Sequence, residues 1–278
     1  MDGVILLNKP IGMTSFDAVN RCRRILHERK AGHTGTLDPN AGGLLIVLFG
    51  RYTKFLPYCV KDHKHYQAEF VFGRMTDTGD IWGNTIAEKT PAAHTEQEVQ
   101  SAADGFLGVQ EQIPPMYSAL KVNGQKLVDL ARQGKTVERK PRKVVIDRAD
   151  VSFVDGTWKL DAIVSGGTYI RTLINDLGES LGEYAVMSAL QRTGIESLSL
   201  AEATELSRLE EVVTVPPERV IDPSIPRVET SDYESVIHGR TIELSLDVPL
   251  VLMEKDGQIL AAYTKREDGL YHCQRGLL

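Results

Sequence analysis

Cysteine is scarce. Cys22, Cys59 and Cys273 are odd in number and widely spaced, so neither a disulfide framework nor a Cys-x-x-Cys metal or redox site can be built from them. Long apolar runs are missing too. The longest, Leu44 to Phe49, is far shorter than the ~20 residues that cross a bilayer, and the N-terminus has no basic stretch followed by an apolar run and a cleavage site. A cytoplasmic protein with no membrane contact is expected. The zinc-protease spacing His-Glu-x-x-His is absent, and His63 and His65 have no nearby Cys or second His pair, so no metal site is expected. Asp77-Thr78-Gly79-Asp80 offers oxygen atoms to a cation, but an Asx-type turn explains Asp and Gly there more simply. Gly134-Lys135-Thr136 has the tail of a phosphate loop with Asp129 where its first Gly must be, which excludes a nucleotide cradle of that kind.

What remains suffices for a full core: 278 residues, 42% of them hydrophobic, suit one large domain with a small appendage. The formal charge of −6 argues at first against a nucleic-acid partner, but it is unevenly spread. Residues 121–171 carry 11 Lys/Arg against 6 Asp/Glu, whereas residues 172–278 carry 9 against 19. The densest basic stretch is Lys121, Lys126, Arg132, Lys135, Arg139, Lys140, Arg142 and Lys143, interrupted by Asp129 and Glu138. Taken alone it is a solvated helix and loop, and it becomes an RNA-backbone contact only beside a second argument.

Patterning predicts the elements. Val4-Ile5-Leu6-Leu7 reads as a buried strand. A helix follows from Ser15, with Thr14 and Asp17 at capping-box spacing and Phe16, Val19, Cys22, Ile25 and Leu26 as its apolar face. Residues 31–43, rich in Gly and Pro, read as a loop before the apolar run to Gly50. Tyr66, Ala68, Phe70 and Phe72 alternate with His65, Gln67, Glu69 and Val71, the period of a strand with one face on the core. Thr95 and Glu98 cap a helix over 96–107; another runs from 126 to 133, and strands follow near 143–153 and 157–164. Gly166-Gly167-Thr168 opens a helix with Thr168 as N-cap. Prolines 216, 217, 223 and 226 punctuate a linker, after which short strands with Gly turns form a small β module. The whole is an α+β chain with a mixed sheet, divided as residues 1–225 and 226–278.

Two side chains stand out. Asp38 precedes Pro39 in a loop with four glycines, where backbone can approach a ligand closely, although Asp before Pro is also an ordinary turn. Arg171 falls in the first turn of its helix, where a cation meets the positive end of the helix dipole at a cost of ~0.3–1 kcal/mol. A partly buried carboxylate would compensate, and such a pair orients an acid as a nucleophile. Local inspection does not identify that carboxylate.

Four segments in order, Asn8-Lys9-Pro10-x-Gly12-x-Thr14-Ser15, Gly32-His33-Thr34-Gly35-Thr36-Leu37-Asp38-Pro39, Gly73-x-x-Thr76-Asp77-Thr78-Gly79-Asp80-x-x-Gly83 and Gly167-Thr168-Tyr169-Ile170-Arg171-Thr172, resemble the signatures of the TruB family of tRNA pseudouridine synthases; Pro115 to Lys121 is similar to a fifth. The resemblance implies the pseudouridine synthase fold, with helices flanking a mixed central sheet and a short, acidic, PUA-like C-terminal module. It implies an isomerase that converts a uridine of the tRNA T-arm loop (position 55) to pseudouridine after flipping out the base, with no cofactor. Asp38 would be the catalytic aspartate and Arg171 its salt-bridge partner. Tyr66 would stack on the uracil and help move the C5 proton, and His33 would fill the space of the extruded base. Tyr169 and Leu190 would line the uridine pocket, and Lys9 and Pro10 would brace the catalytic loop. Position 166 is Gly where many members have Lys. The chain lacks the long basic tails of guide-RNA-directed relatives, so a monomer acting without guide RNA is expected. The alternative is an RNA chaperone that binds and remodels tRNA without chemistry.

Overall fold

Leu44 to Phe49 is apolar without interruption because both faces of its strand are buried; every residue from Ala41 to Phe49 is buried in the computed structural model, which describes residues 2–277. In chain order the strands are β1 (Gly3–Lys9), β2 (Ala31–Thr34), β3 (Ala41–Phe49), β4 (Lys64–Phe72), β5 (Arg74–Thr76), β6 (Thr85–Glu88), β7 (Gly108–Gln112), β8 (Lys121–Val122) and β9 (Gln125–Lys126). Then come β10 (Arg142–Val154), β11 (Thr157–Val164), β12 (Ala185–Ile195), β13 (Leu198–Ser199), β14 (Thr204–Glu205), β15 (Arg227–Glu229), β16 (Leu250–Lys255), β17 (Gln258–Lys265) and β18 (Tyr271–Gly276). The α-helices are α1 (Ser15–Ile25), α2 (Glu96–Asp104), α3 (Leu127–Arg132), α4 (Ile170–Ser180) and α5 (Tyr233–Ile237). The chain forms two compact units: one holds residues up to Pro39, Gly43–Lys61 and everything from Leu200, and the other holds Asn40–Gly42 and Asp62–Ser199.

In the first unit β1 and β3 pair antiparallel from Gly3↔Phe49 to Lys9↔Gly43, and β14 adds to β1 in parallel at Leu7 and Asn8. The sheet is therefore mixed. Helix α1 starts at the expected capping box: the Asp17 amide donates to Thr14 Oγ1 at 3.0 Å and the Thr14 amide to Asp17 Oδ2 at 3.1 Å. The Thr14 hydroxyl, which donates to Asp17 Oδ2 at 2.6 Å, and then the Thr14 amide hold the exposed Asp17 carboxyl below its ordinary range. Its Ala18, Val19 and Cys22 pack on Ile5, Leu7, Leu45, Val47 and Phe49; each such Val or Ile contributes about 1.5–3 kcal/mol by leaving water. A separate sheet, β15-β16-β17-β18, closes over Val251, Met253, Leu260, Tyr263 and Tyr271. Both buried tyrosines keep a partner: the Tyr271 hydroxyl donates to Val248 O at 2.8 Å and that of Tyr263 to Arg240 O at 3.0 Å.

In the second unit the order is β12-β4-β11-β10-β7, antiparallel throughout. Helix α2, capped by Thr95 and Glu98, sends Gln100 to β10: it accepts from the Val151 amide at 2.6 Å and donates to Ala149 O at 3.1 Å. Helix α4 buries Ile170, Leu173, Ile174 and Leu177, and its Gly178 lies so near β12 that a Cβ there would be 2.5 Å from Ala185 Cβ. No helix among the described residues is long and apolar enough to cross a membrane.

Several boundaries depart from expectation. Residues 31–34, expected in a loop, form β2 by pairing with β3 from Ala31↔Phe49 to Thr34↔Ile46. Helix α2 stops at Asp104 because Gly105 caps it. The N-cap of α4 is Tyr169, one residue later than Thr168, and makes no side-chain capping bond.

Candidate active site

The loop carrying Asp38 is held from both sides. Ser15, 1% exposed in the first turn of α1, receives the Leu37 amide at 2.9 Å on its hydroxyl oxygen and donates to Leu37 O at 3.1 Å. Beyond the aspartate, Gly12 N donates to Pro39 O at 2.8 Å. Gly12 has φ +84°, a conformation other residues rarely adopt. Leu37 is itself buried, so the half-buried Asp38 sits between two fixed neighbours on a segment with little freedom. Lys9, fully buried at the end of β1, donates from Nζ to Pro10 O at 2.9 Å and Met13 O at 2.7 Å, which fixes the course of the segment containing Gly12. His33, half-buried, lies on β2 opposite Val47. These residues belong to the first unit.

Tyr66, Tyr169, Arg171 and Leu190 belong to the second. Tyr66 is buried in β4, with Ala162 opposite on one side and Arg192 on the other; Leu190 lies opposite Ala68 on the same sheet face. Arg192 is fully buried and was missed from sequence. Two residues from Tyr66 on that face, Lys64 has its ammonium pushed down to about 8, first by burial and then by Arg192, with Asp62 partly offsetting.

Arg171, 4% exposed, is the second residue of α4, and its guanidinium donates from Nη1 to Thr78 O at 2.6 Å and from Nη2 to Tyr117 O at 2.8 Å. The turn supplying Thr78 O is tightly knit. Thr78 Oγ1 donates to Asp80 Oδ1 at 2.7 Å, Thr76 Oγ1 to Asp80 O at 2.6 Å, and Asn84 N to Asp77 Oδ1 at 2.9 Å. Gly79 rests on Arg171, where a Cβ would be 3.5 Å from Arg171 Cβ. Tyr169 is positioned by Gln112, which accepts from its amide at 2.8 Å and donates to its carbonyl at 3.1 Å. Ser15 and Gln112 act through side-chain bonds to backbone atoms and Thr78 through its own carbonyl; Ser15 and Thr78 lie within the sequence motifs, whereas Gln112 had no signal. Among the described residues no group of three or more His, Cys, Asp or Glu could hold a metal ion.

In the second unit the fully buried Arg192 pairs in register with Tyr66, and in the first a carboxylate stands on a braced glycine-rich loop, a group suited to attacking an electrophilic carbon. Residues 23–170 match the N-terminal domain of TruB family pseudouridylate synthases. The chain is similar to tRNA pseudouridine synthase B of Oenococcus oeni (strain ATCC BAA-331 / PSU-1), 35% identical across 100% of this chain and 98% of that protein. The protein of that name from Ralstonia nicotianae (strain ATCC BAA-1114 / GMI1000) is 42% identical across 89% of this chain and 82% of its own. A chain in the crystal structure of a Cbf5-Nop10-Gar1 complex superposes with TM-score 0.76 at 23% identity, covering 99% of this chain and 85% of that one. That likeness is one of fold.

Proposed function

Because the chain belongs to the TruB family of pseudouridylate synthases, we infer that it isomerises a uridine in the T-arm loop of tRNA to pseudouridine, with Asp38 as the catalytic carboxylate. The observation that carries this is the bracing of Asp38: Ser15 fixes Leu37 and Gly12 fixes Pro39, so the backbone that carries the carboxylate is held from both sides. The names of the relatives support tRNA as substrate.

The target base leaves its stack at a cost of a few kcal/mol, which an aromatic platform at Tyr66 and a wedge at His33 offset. Asp38 attacks C6 of the uracil or C1′ of the ribose, and the bond between C1′ and N1 breaks. The freed base turns and C1′ joins C5 while the bond to Asp38 breaks and returns the free carboxylate; the proton leaves C5 with the help of Tyr66, and N1 regains one. No atom is gained or lost and no electron changes hands, so the chemistry calls for no redox partner. Arg171 orients Asp38, Tyr169 and Leu190 line the pocket, and the basic stretch 121–143 takes T-arm phosphates. The protein acts as a monomer without guide RNA.

The test is to map pseudouridine in bulk tRNA after incubation with purified wild type and Asp38→Asn. Wild type should modify the T-arm loop alone, and the variant should bind tRNA within a few-fold of wild type but leave every uridine unchanged. Modification by Asp38→Asn would remove the aspartate from the mechanism, and wild-type modification outside the T-arm loop would overturn the substrate.

A further inference from the structure

Helix α1 has two unlike ends. Its first turn carries Ser15, which holds Leu37 beside Asp38, and its eleven residues place the last turn about 16 Å from there at 1.5 Å per residue. The face with Ala18, Val19 and Cys22 is packed on the core. Asn20, Arg23 and Arg24 follow the i, i+3, i+4 spacing of one helical stripe, and His27, with φ +50°, turns off just past the helix end. With Glu28 and Arg29 they line a groove of about 590 Å³.

The groove is basic in a chain whose net charge is −6. Residues 21–30 hold Arg21, Arg23, Arg24, Arg29 and Lys30 against Glu28 as the one acid. The negative end of the helix dipole accounts for cations in the last turn, Arg23 and Arg24. It accounts neither for Arg29 and Lys30, which lie past the helix, nor for the concavity. Among the described residues none of these five cations forms a salt bridge; Arg23 Nη1 donates to Asn20 Oδ1 at 3.0 Å. Guanidiniums without a carboxylate partner, gathered in a groove, match the two-pronged geometry of phosphate oxygens. From Asn20 to the helix end at Ile25 the stripe runs about 8 Å, and His27, Glu28 and Arg29 extend the lining beyond it. At 3.4 Å per nucleotide along a strand it faces about three phosphates, which fits a polymer better than a single anion.

We propose that this groove is a second RNA-backbone contact, in which Arg23, Arg24 and Arg29 hold phosphates of the tRNA about 16 Å from the Asp38 loop, beyond the T loop itself. The inference rests on tRNA being the substrate and adds a contact that works by position. The groove reads distance along the substrate, favouring a T loop attached to a stem over a loop alone.

Binding of full-length tRNA is compared with binding of a T-loop hairpin closed by about three base pairs, roughly 10 Å long at 3.4 Å per pair and too short to reach the groove. Fluorescence anisotropy between about 50 and 200 mM salt gives affinity and its salt dependence. R23E/R24E should weaken full-length tRNA about tenfold and flatten the log-log salt slope by one to two, while the short hairpin stays within about twofold. R29E, outside the helix and unable to disturb it, should weaken full-length tRNA about threefold with the same selectivity. It carries the test if the double variant fails to fold. Equal weakening of both RNAs, or unchanged tRNA affinity and slope in R29E, would overturn the proposal; the latter would leave an acidic protein segment as the groove's partner. A wild-type protein that neither binds the hairpin nor converts its uridine would instead defeat the functional reading.

Discussion

Single side chains set the local energetics around the candidate site. Asp176, in the middle of α4, has its carboxyl pushed up to about 6 from an ordinary 3.8, chiefly by burial and then by the Glu179 carboxylate. The folded state therefore holds this proton more tightly than the unfolded chain does. Stability contributed by the neutral acid is present below about pH 4 and is lost as pH rises through about 6. Asp176→Asn removes that loss. Denaturant titrations of the variant should show about 1–3 kcal/mol more stability than wild type at pH 7, a gain that shrinks toward zero near pH 4. An unchanged pH profile would show that the carboxyl is solvated in the folded state.

At the scale of elements, the turn from Thr76 to Asn84 is the support on which Arg171 leans through Thr78 O. Gly83 is packed into it: a Cβ there would be 2.2 Å from Thr78 Oγ1, 2.5 Å from Asp77 Oδ1 and 3.0 Å from Thr78 N. Gly83→Ala must displace the Thr78 hydroxyl and the Asp77 carboxylate and presses on the Thr78 amide. We expect a loss of about 1–3 kcal/mol in stability, measured by thermal unfolding. A lower kcat on tRNA should accompany it, because the carbonyl that aims the guanidinium moves. A variant with wild-type Tm and kcat would show that the turn bears no part of Arg171's orientation.

The same scale explains what was legible in the sequence. Caps and alternation marked β1, α1, β4, α2, β10 and β11, where local rules and tertiary packing agree. Strand β12, which brings Leu190 and Arg192 alongside Tyr66, gave no such sign. Its register shifts between Met187 and Ala189 and again between Arg192 and Gly194 break the two-residue period, and Arg192 is a charge at a core position. Strand β2, Ala-Gly-His-Thr, has no apolar period of its own and exists because β3 offers an edge. The motif residues of the candidate site were all named from sequence, but their supports were not. The Gln112 side chain reaches the Tyr169 backbone 57 residues away, and the Thr78 carbonyl accepts from the Arg171 side chain 93 residues away, relations that no local pattern encodes.

Across the whole molecule the thiols give a simple check on burial. Cys22 and Cys59 are buried and held at about 12 by desolvation; Cys273, partly exposed, is raised by burial to a lesser degree. Iodoacetamide at pH 8 should alkylate at most one thiol per native chain, at Cys273, and all three after unfolding. Rapid native labelling of Cys22 would mean that α1 lifts from its sheet, since that sulfur lies on the helix face packed against β1 and β3.

The Ser15–Leu37 bonds join residues only 22 positions apart, and the strands around them, β1 to β3, end at Phe49. The bonds that hold Leu37 and Pro39 are thus encoded in the first fifth of the chain. During synthesis at about 5–20 residues per second, this segment is complete many seconds before the rest has left the ribosome. The cradle of Asp38 can form by short-range closure, at a small loop-entropy cost, while later segments are still being made.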